Sequence, residues 1–127
     1  MPVQDIQMFK AAAGEDYVIF NGPDEQFMSG RVIGAEGAIG GTYGVMPELF
    51  LKLNEHVIAG EMEKARELQY AVNEIIYKMC SAHGNMYGVI KAMLKINEGL
   101  ELGGVESLFR HLLKAIWRSL KKPQNGT

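Results

Sequence analysis

Apolar residues recur along this chain in two patterns, as short unbroken runs near the start and at spacings of three and four further on. Residues 17–20 are four apolar residues bounded by turn residues, a pattern typical of a buried, parallel strand. The glycine-rich residues 37–44 are a second strand candidate, although glycine weakens a strand. Residues 24–33 between them have helical spacing, with Phe27, Met28 and Val32 expected to face inward. The pattern therefore predicts a strand, helix, strand unit with parallel strands.

The other predicted elements are helices. Apolar spacing predicts one helix over 1–13 that stops at Gly14 and others over 47–60, 61–82, 86–96 and 107–120. Two strands alone make a sheet of little stability. We therefore expect partner strands, either from another molecule or from the rest of a larger α/β protein.

Composition excludes several classes of function. A chain of 127 residues has room for one domain, and a net charge of −2 gives no support for non-specific binding to nucleic acid. Cys80 is the only cysteine, so no internal disulfide can form and a reducing cytoplasm is the expected compartment. No apolar run approaches the roughly 20 residues that cross a bilayer. The scattered histidines lack partners at ligand spacing, so no metal site is expected.

The last predicted helix carries an uneven charge. From Val105 onward the chain has five Lys and Arg residues against Glu106 alone, and the apolar residues of 107–120 fall on one face. Such a helix can bind a membrane surface or a partner's groove. The simpler interpretation, which we favour, is that it packs on its own protein or on a second copy.

Two adjacent acids follow the first predicted strand. Pro23 suits a turn or the first residue of a helix, and Asp24 and Glu25 then lie in the first helical turn, where the helix dipole favours negative charge. Ligands of α/β proteins bind at the carboxyl ends of the strands. The two carboxylates are therefore candidate ligand contacts, with ordinary helix-starting acids as the alternative.

Two motifs in this region resemble a known family. Residues 20–25 (Phe-Asn-Gly-Pro-Asp-Glu), then Gly30 and residues 34–43 (Gly-Ala-Glu-Gly-Ala-Ile-Gly-Gly-Thr-Tyr), resemble the N-acetylneuraminate lyase and dihydrodipicolinate synthase family, its sialic-acid lyase branch above all. The likeness covers roughly residues 3–104. It implies an α/β fold, the C-terminal fragment of a (β/α)₈ TIM barrel with two parallel strands and a mainly helical extension.

The resemblance also implies a division of the chain. Residues 1–46 would be the last βαβ part of the barrel, and residues 47–104 the C-terminal helices of the family. Residues 105–127, a basic amphipathic helix and a tail, depart from the family pattern.

The family consists of class I aldolases, usually tetramers. Enzymes of the sialic-acid lyase branch cleave a 2-oxo acid sugar reversibly to pyruvate and an aldehyde, through a Schiff base on a lysine of another barrel strand and with no cofactor. No lysine of this chain lies in a strand-like segment, so we expect the chain to lack that lysine and to be inactive alone. The intact enzyme would bind pyruvate or a 2-oxo acid sugar, form a homo-oligomer, and bind neither nucleic acid nor membrane.

The resemblance assigns this chain the contacts to the sugar tail. The backbone of Gly22 and the carboxylates of Asp24 and Glu25 would accept hydrogen bonds from substrate hydroxyls. Gly41 stands where the lyases have serine, and Thr42 and Tyr43 would line the pocket. A hypothesis of another class is a non-catalytic, mainly helical interaction module that self-associates.

Overall fold

The computed structural model describes residues 1–82 and 85–104. It has two compact units, Met1–Ile76 and a second that begins at Tyr77. The elements occur in the order α1 (Gln4–Ala13), β1 (Phe20–Asn21), a short 3-10 helix (Asp24–Gln26), α2 (Phe27–Ile33), β2 (Gly37–Ala38), α3 (Pro47–Ile58), α4 (Met62–Ser81) and α5 (Met86–Glu98).

The two strands pair in parallel, as the sequence predicts. Phe20 lies opposite Gly37, and Asn21 lies opposite Ala38. The two chain segments stay hydrogen-bonded on either side of these pairs, because Glu36 N donates to Ile19 O at 3.0 Å and Ile39 N donates to Asn21 O at 3.1 Å. Helix α2 lies between the strands in sequence, so the strand, helix, strand order is confirmed.

The strands are shorter and more exposed than predicted. Tyr17 and Val18 lie outside β1 and are 65% and 59% exposed, and Phe20 within it is 50% exposed. The expectation of a buried run over residues 17–20 is therefore wrong for these side chains. The sheet has only two strands within the part of the chain that the structure describes. A strand that is buried on both faces needs neighbours that this sheet does not contain.

The second strand candidate is also mostly loop. Only Gly37 and Ala38 of residues 37–44 are in β2, and the following residues form turns in which Val45 N donates to Thr42 O at 3.2 Å. The glycines of this stretch therefore serve a loop that follows a strand.

Helix ends follow the sequence closely. Gly14, Gly34 and Gly99 follow the ends of α1, α2 and α5 with φ of 88°, 119° and 68°, values that favour glycine. Pro47 begins α3, where a missing N–H costs no helical hydrogen bond. The bounds of α1, α3, α4 and α5 agree with the predicted ones within three residues. The predicted helix over 107–120 lies outside the described residues.

The core of the first unit joins α2, α3 and α4. Its buried members share one cluster: Phe27, Met46, Phe50, Leu53, Val72 and Ile76. Val32, expected to face inward, is 57% exposed, so that part of the prediction for α2 is wrong, and helix α1 buries only Ile6. None of the helices in residues 1–82 and 85–104 combines the length and apolar character needed to cross a membrane.

Gly30 allows α2 to lie close to β1. A Cβ at Gly30 would lie 2.5 Å from Oδ1 of Asn21, closer than real side chains approach. We expect Gly30→Ala to lower the free energy of unfolding by about 1–3 kcal/mol, because the clash outweighs the better helix propensity of alanine. Urea denaturation followed by circular dichroism measures this. Gly44→Ala is the matched control, since a Cβ there meets nothing within 4 Å. Equal stability of the two variants would contradict the packing argument.

Candidate functional site

The carboxyl ends of the two parallel strands meet at one edge, and a buried acid links them. Asp24 is 5% exposed, and Thr42 is fully buried. Thr42 N donates to Oδ2 of Asp24 at 2.8 Å, and the Thr42 hydroxyl donates to the same oxygen. One carboxylate oxygen thus connects the loop after β1 with the loop after β2. Hydrogen bonds to a charged acceptor are the stronger kind.

Gly40 makes this approach possible. A Cβ at position 40 would lie 1.7 Å from Oδ1 of Asp24 and 2.9 Å from the Tyr43 ring, which no side chain could tolerate. The loop after β2 therefore crosses directly over the Asp24 carboxylate.

A buried amide shapes the turn after β1. Asn21 is fully buried, its Nδ2 donates to Pro23 O at 2.7 Å, and its Oδ1 accepts from Gln26 Nε2 at 3.2 Å. The sequence assigns Asn21 no role, although a polar residue that directly follows the apolar residues 17–20 could have pointed to one. The turn that carries the two acids is thus held by the last residue of the strand.

The two acids differ in their surroundings. Glu25 is half-buried, and its carboxylate has no hydrogen-bond partner in residues 1–82 and 85–104. Gly22 is exposed beside it, and Gly41 is half-exposed in the opposite loop. Of the two carboxylates, Glu25 is therefore the one with unused acceptor capacity, while Asp24 already holds Thr42.

Tyr43 places a phenol beneath the acids. Its ring packs edge-to-face with Phe27 and Phe50, at centroid distances of 6.0 and 4.3 Å. Its hydroxyl oxygen is buried near the side chains of Asn21 and Asp24, but it makes no hydrogen bond of ordinary geometry within the described part of the chain. Burial, and then the negative charge of Asp24, raise the pKa of Tyr43 well above its ordinary value. The phenol is therefore neutral at physiological pH.

A shallow cleft of about 290 Å³ opens beside the sheet in the first unit. Phe27, Ala38, Tyr43 and Phe50 are among its lining residues. Of the sequence-predicted site residues only Tyr43 lines it, so the cleft and the acidic edge are separate features. A groove of about 310 Å³ in the second unit lies beside Lys91 and contains none of them.

The six lysines of the described residues lie on helices, as the sequence predicts for them. They are Lys10, Lys52, Lys64, Lys78, Lys91 and Lys95. The same residues contain no cluster of three or more His, Cys, Asp or Glu side chains that could hold a metal ion.

Two side-chain amides on α4 form hydrogen bonds to α2 and to the turn that carries the acids, and the sequence predicts no function for them. Gln69 is 7% exposed, and its Oε1 accepts from Met28 N at 2.8 Å. Asn73, one turn further along α4, donates to the backbone oxygen of Glu25 at 3.2 Å. The available signal was a glutamine inside an otherwise apolar helical stripe.

Comparison with known proteins identifies the relatives of the chain. Residues 2–108 match the model of the dihydrodipicolinate synthetase family. The chain is 82% identical over 105 residues to N-acetylneuraminate lyase of Mediterraneibacter gnavus, covering 83% of this chain and 33% of that protein. The chain thus spans about a third of the length of the curated relatives it matches first, and corresponds to their C-terminal portion.

Comparison with solved structures finds relatives of the same kind. The sialic acid aldolase of Ruminococcus gnavus superposes with a TM-score of 0.82 and 70% identity, covering 93% of this chain and 42% of that one. A variant of that enzyme is described as its catalytic lysine mutant. N-acetylneuraminate lyase of Fusobacterium nucleatum complexed with pyruvate superposes with a TM-score of 0.74 and 25% identity, covering 94% and 42%. The fold is thus that of a fragment of a TIM-barrel aldolase, as the motifs imply.

The different surroundings of the two acids predict different effects on stability. Asp24→Ala leaves the buried N–H and hydroxyl of Thr42 without an acceptor, so we expect a loss of about 1–3 kcal/mol in the free energy of unfolding. Glu25→Gln breaks no hydrogen bond between described residues and should change it by less than about 0.5 kcal/mol. Urea denaturation of both variants compares them. Equal losses would contradict the assignment of the link to Asp24.

Because the Tyr43 hydroxyl makes no hydrogen bond of ordinary geometry, its removal should have an unusual effect on the free energy of unfolding. At pH 7 we expect Tyr43→Phe to keep or raise the free energy of unfolding, because it removes a buried polar group that makes no hydrogen bond. A loss above about 1 kcal/mol would reveal a partner for the hydroxyl.

The same variant has a pH signature. The folded state holds the Tyr43 proton more tightly than the unfolded state, so this contribution to stability is present below the ordinary pKa of 10.0 and is lost as the pH rises above it. Tyr43→Phe should therefore lose less stability than the parent chain between pH 9 and about pH 11. Urea denaturation at a series of pH values measures the difference, and parallel curves would contradict it.

Proposed function

This chain belongs to the dihydrodipicolinate synthetase family, and we propose from that premise that it forms the part of an N-acetylneuraminate lyase-type aldolase that holds the sugar tail. The observation that supports this is the meeting of Asp24, Glu25 and Thr42 at the carboxyl edge of two parallel strands. In α/β barrels this edge is where substrates bind. Because the chain spans a third of its relatives, the proposal concerns its role within a whole barrel.

The contacts would be divided between the residues at this edge. Glu25 and the backbone oxygen of Gly22 accept hydrogen bonds from the substrate hydroxyls, since both are accessible. Asp24 uses Oδ2 to hold Thr42 and has only Oδ1, beneath Gly40, left for a ligand. Gly41 offers no hydroxyl, and Thr42 and Tyr43 line the base of the pocket.

The reaction is reversible aldol cleavage. A lysine amine forms an iminium with the 2-oxo carbon of the sugar, and the bond between C3 and C4 then breaks. The C4 hydroxyl loses its proton and becomes the aldehyde, while the bonding electrons pass to the iminium as an enamine. Proton uptake at C3 and hydrolysis release pyruvate and restore the amine.

That amine must be buried and have a lowered pKa, which favours a strand over a helix surface. The lysines of residues 1–82 and 85–104 are on helices, so we propose that the amine comes from the rest of the barrel and that this chain alone is inactive. The whole enzyme would act on pyruvate and 2-oxo acid sugars without a cofactor, as a cytoplasmic homo-oligomer.

The apolar residues exposed beside the sheet favour a second candidate, a non-catalytic module that self-associates. Tyr17, Val18 and Ile39 are each more than half exposed around two strands whose outer edges carry no further strand within the described residues. Exposed strand edges promote pairing with other chains. Light scattering distinguishes the candidates: a monomer with a cooperative melt counts against self-association.

We expect no Schiff base on the isolated chain. The 127-residue chain is incubated with pyruvate and sodium borohydride, and its mass is measured. The positive control is a chimaeric lyase, in which this chain follows the upstream part of the Mediterraneibacter gnavus enzyme and so regains the lysine. A stable pyruvate adduct on the isolated chain would overturn the prediction of inactivity, and a chimaera that fails to cleave N-acetylneuraminate would overturn the proposed function.

Within that chimaeric lyase, Glu25→Gln should raise KM for N-acetylneuraminate about three- to tenfold, because an ionised acceptor is replaced by a weaker neutral one. Borohydride trapping of pyruvate should be unchanged, since the Schiff base forms elsewhere. Glu48→Gln, at the exposed start of α3, is the matched control. An unchanged KM would remove Glu25 from the sugar contacts.

A further inference from the structure

Two side-chain amides on α4 form hydrogen bonds to the backbone of the turn that carries the two acids. Nε2 of Gln69 donates to the backbone oxygen of Asp24 at 3.3 Å, and Nδ2 of Asn73 donates to the backbone oxygen of Glu25 at 3.2 Å. The two amides also bond to each other, since Gln69 Nε2 donates to Oδ1 of Asn73 at 2.9 Å. The side chains are four residues apart and therefore lie on one face of the helix.

Gln69 also caps the first turn of α2. Helix α2 begins at Phe27 without a side-chain cap from its own N-cap residue. Oε1 of Gln69 accepts from Met28 N at 2.8 Å and so satisfies a first-turn N–H that would otherwise have no helical partner. The amide oxygen of Gln69 thus accepts a hydrogen bond from α2, and its amide nitrogen donates one to the acidic turn.

We propose that Gln69 and Asn73 are positioning residues that set affinity for the sugar tail through the backbone of Asp24 and Glu25. The inference rests on the proposed function and deepens it. Neither amide touches the substrate. Their hydrogen bonds hold two consecutive carbonyl oxygens in place, and this limits the directions in which the Glu25 carboxylate can project. An acceptor held in position loses less conformational freedom when it binds a hydroxyl.

Gln69→Glu separates positioning from capping. A glutamate at position 69 still accepts from Met28 N, and its charge suits a helix N-terminus, so α2 keeps its cap. It cannot donate to the backbone oxygen of Asp24 or to Asn73, so only the bond from Asn73 to the backbone oxygen of Glu25 still holds the acidic turn. Asn73→Ala removes the bond to the backbone oxygen of Glu25 and the bond from Gln69, without added charge. Gln7→Glu, on an exposed part of α1, controls for the change in charge.

The test uses the chimaeric lyase and two substrates. We expect Gln69→Glu and Asn73→Ala to raise KM for N-acetylneuraminate about three- to tenfold, the effect of one lost hydrogen bond. KM for pyruvate, measured in condensation with the short acceptor glyceraldehyde, should stay unchanged, because glyceraldehyde has no long tail to hold. Thermal unfolding of each variant is followed in parallel.

The outcomes are distinct. An unchanged KM for N-acetylneuraminate in an active chimaera overturns the positioning role and leaves the proposed function standing. An equal rise in both KM values, with a lower unfolding temperature, also overturns it, because it assigns the amides a structural role only. Should Gln69→Glu fail to fold, Asn73→Ala decides. An inactive parent chimaera overturns the proposed function, and the positioning role with it.

Discussion

The arrangement of this molecule depends on one carboxylate that joins the ends of two strands. Oδ2 of Asp24 accepts two hydrogen bonds from Thr42 in a place from which water is almost excluded. Strands of only two residues have little holding them together, so the link across their carboxyl ends compensates for a short ladder. A buried charge is tolerated only where it is well paired, and here the pairing fixes the edge on which ligands of this fold bind.

The helices that follow the sheet support this edge in two different ways. Apolar residues of α3 and α4 pack with Phe27 of α2 in the hydrophobic core. Gln69 and Asn73 on α4 instead hold backbone oxygens of the acidic turn just before α2, and that hydrogen bonding is directional. A helix that follows the sheet can thus hold the backbone of a turn at the edge of the sheet without placing a side chain on that edge.

The exposed residues around β1 have the same physical origin as the short strands. Tyr17, Val18 and Phe20 have the composition of a strand buried on both faces, yet about half or more of each side chain meets solvent. Their sequence suits a barrel in which further strands flank them, and the relatives of the chain are barrels of which it spans a third. We therefore expect these side chains to become buried only in an assembled barrel.

Much of the local structure was determined by the sequence alone. Glycines with positive φ end the helices where the spacing predicts, Pro47 begins α3, and the acidic turn follows a strand, because each depends on a few neighbouring residues. The family, too, could be recognised from residues 20–43. Tertiary structure decided which acid is buried, since the contacts of Asp24 with Thr42 and Gly40 join residues far apart in sequence. It also decided that Gln69 bonds to the acidic turn and that Val32 faces solvent, because helical spacing states which residues share a face but not what that face meets.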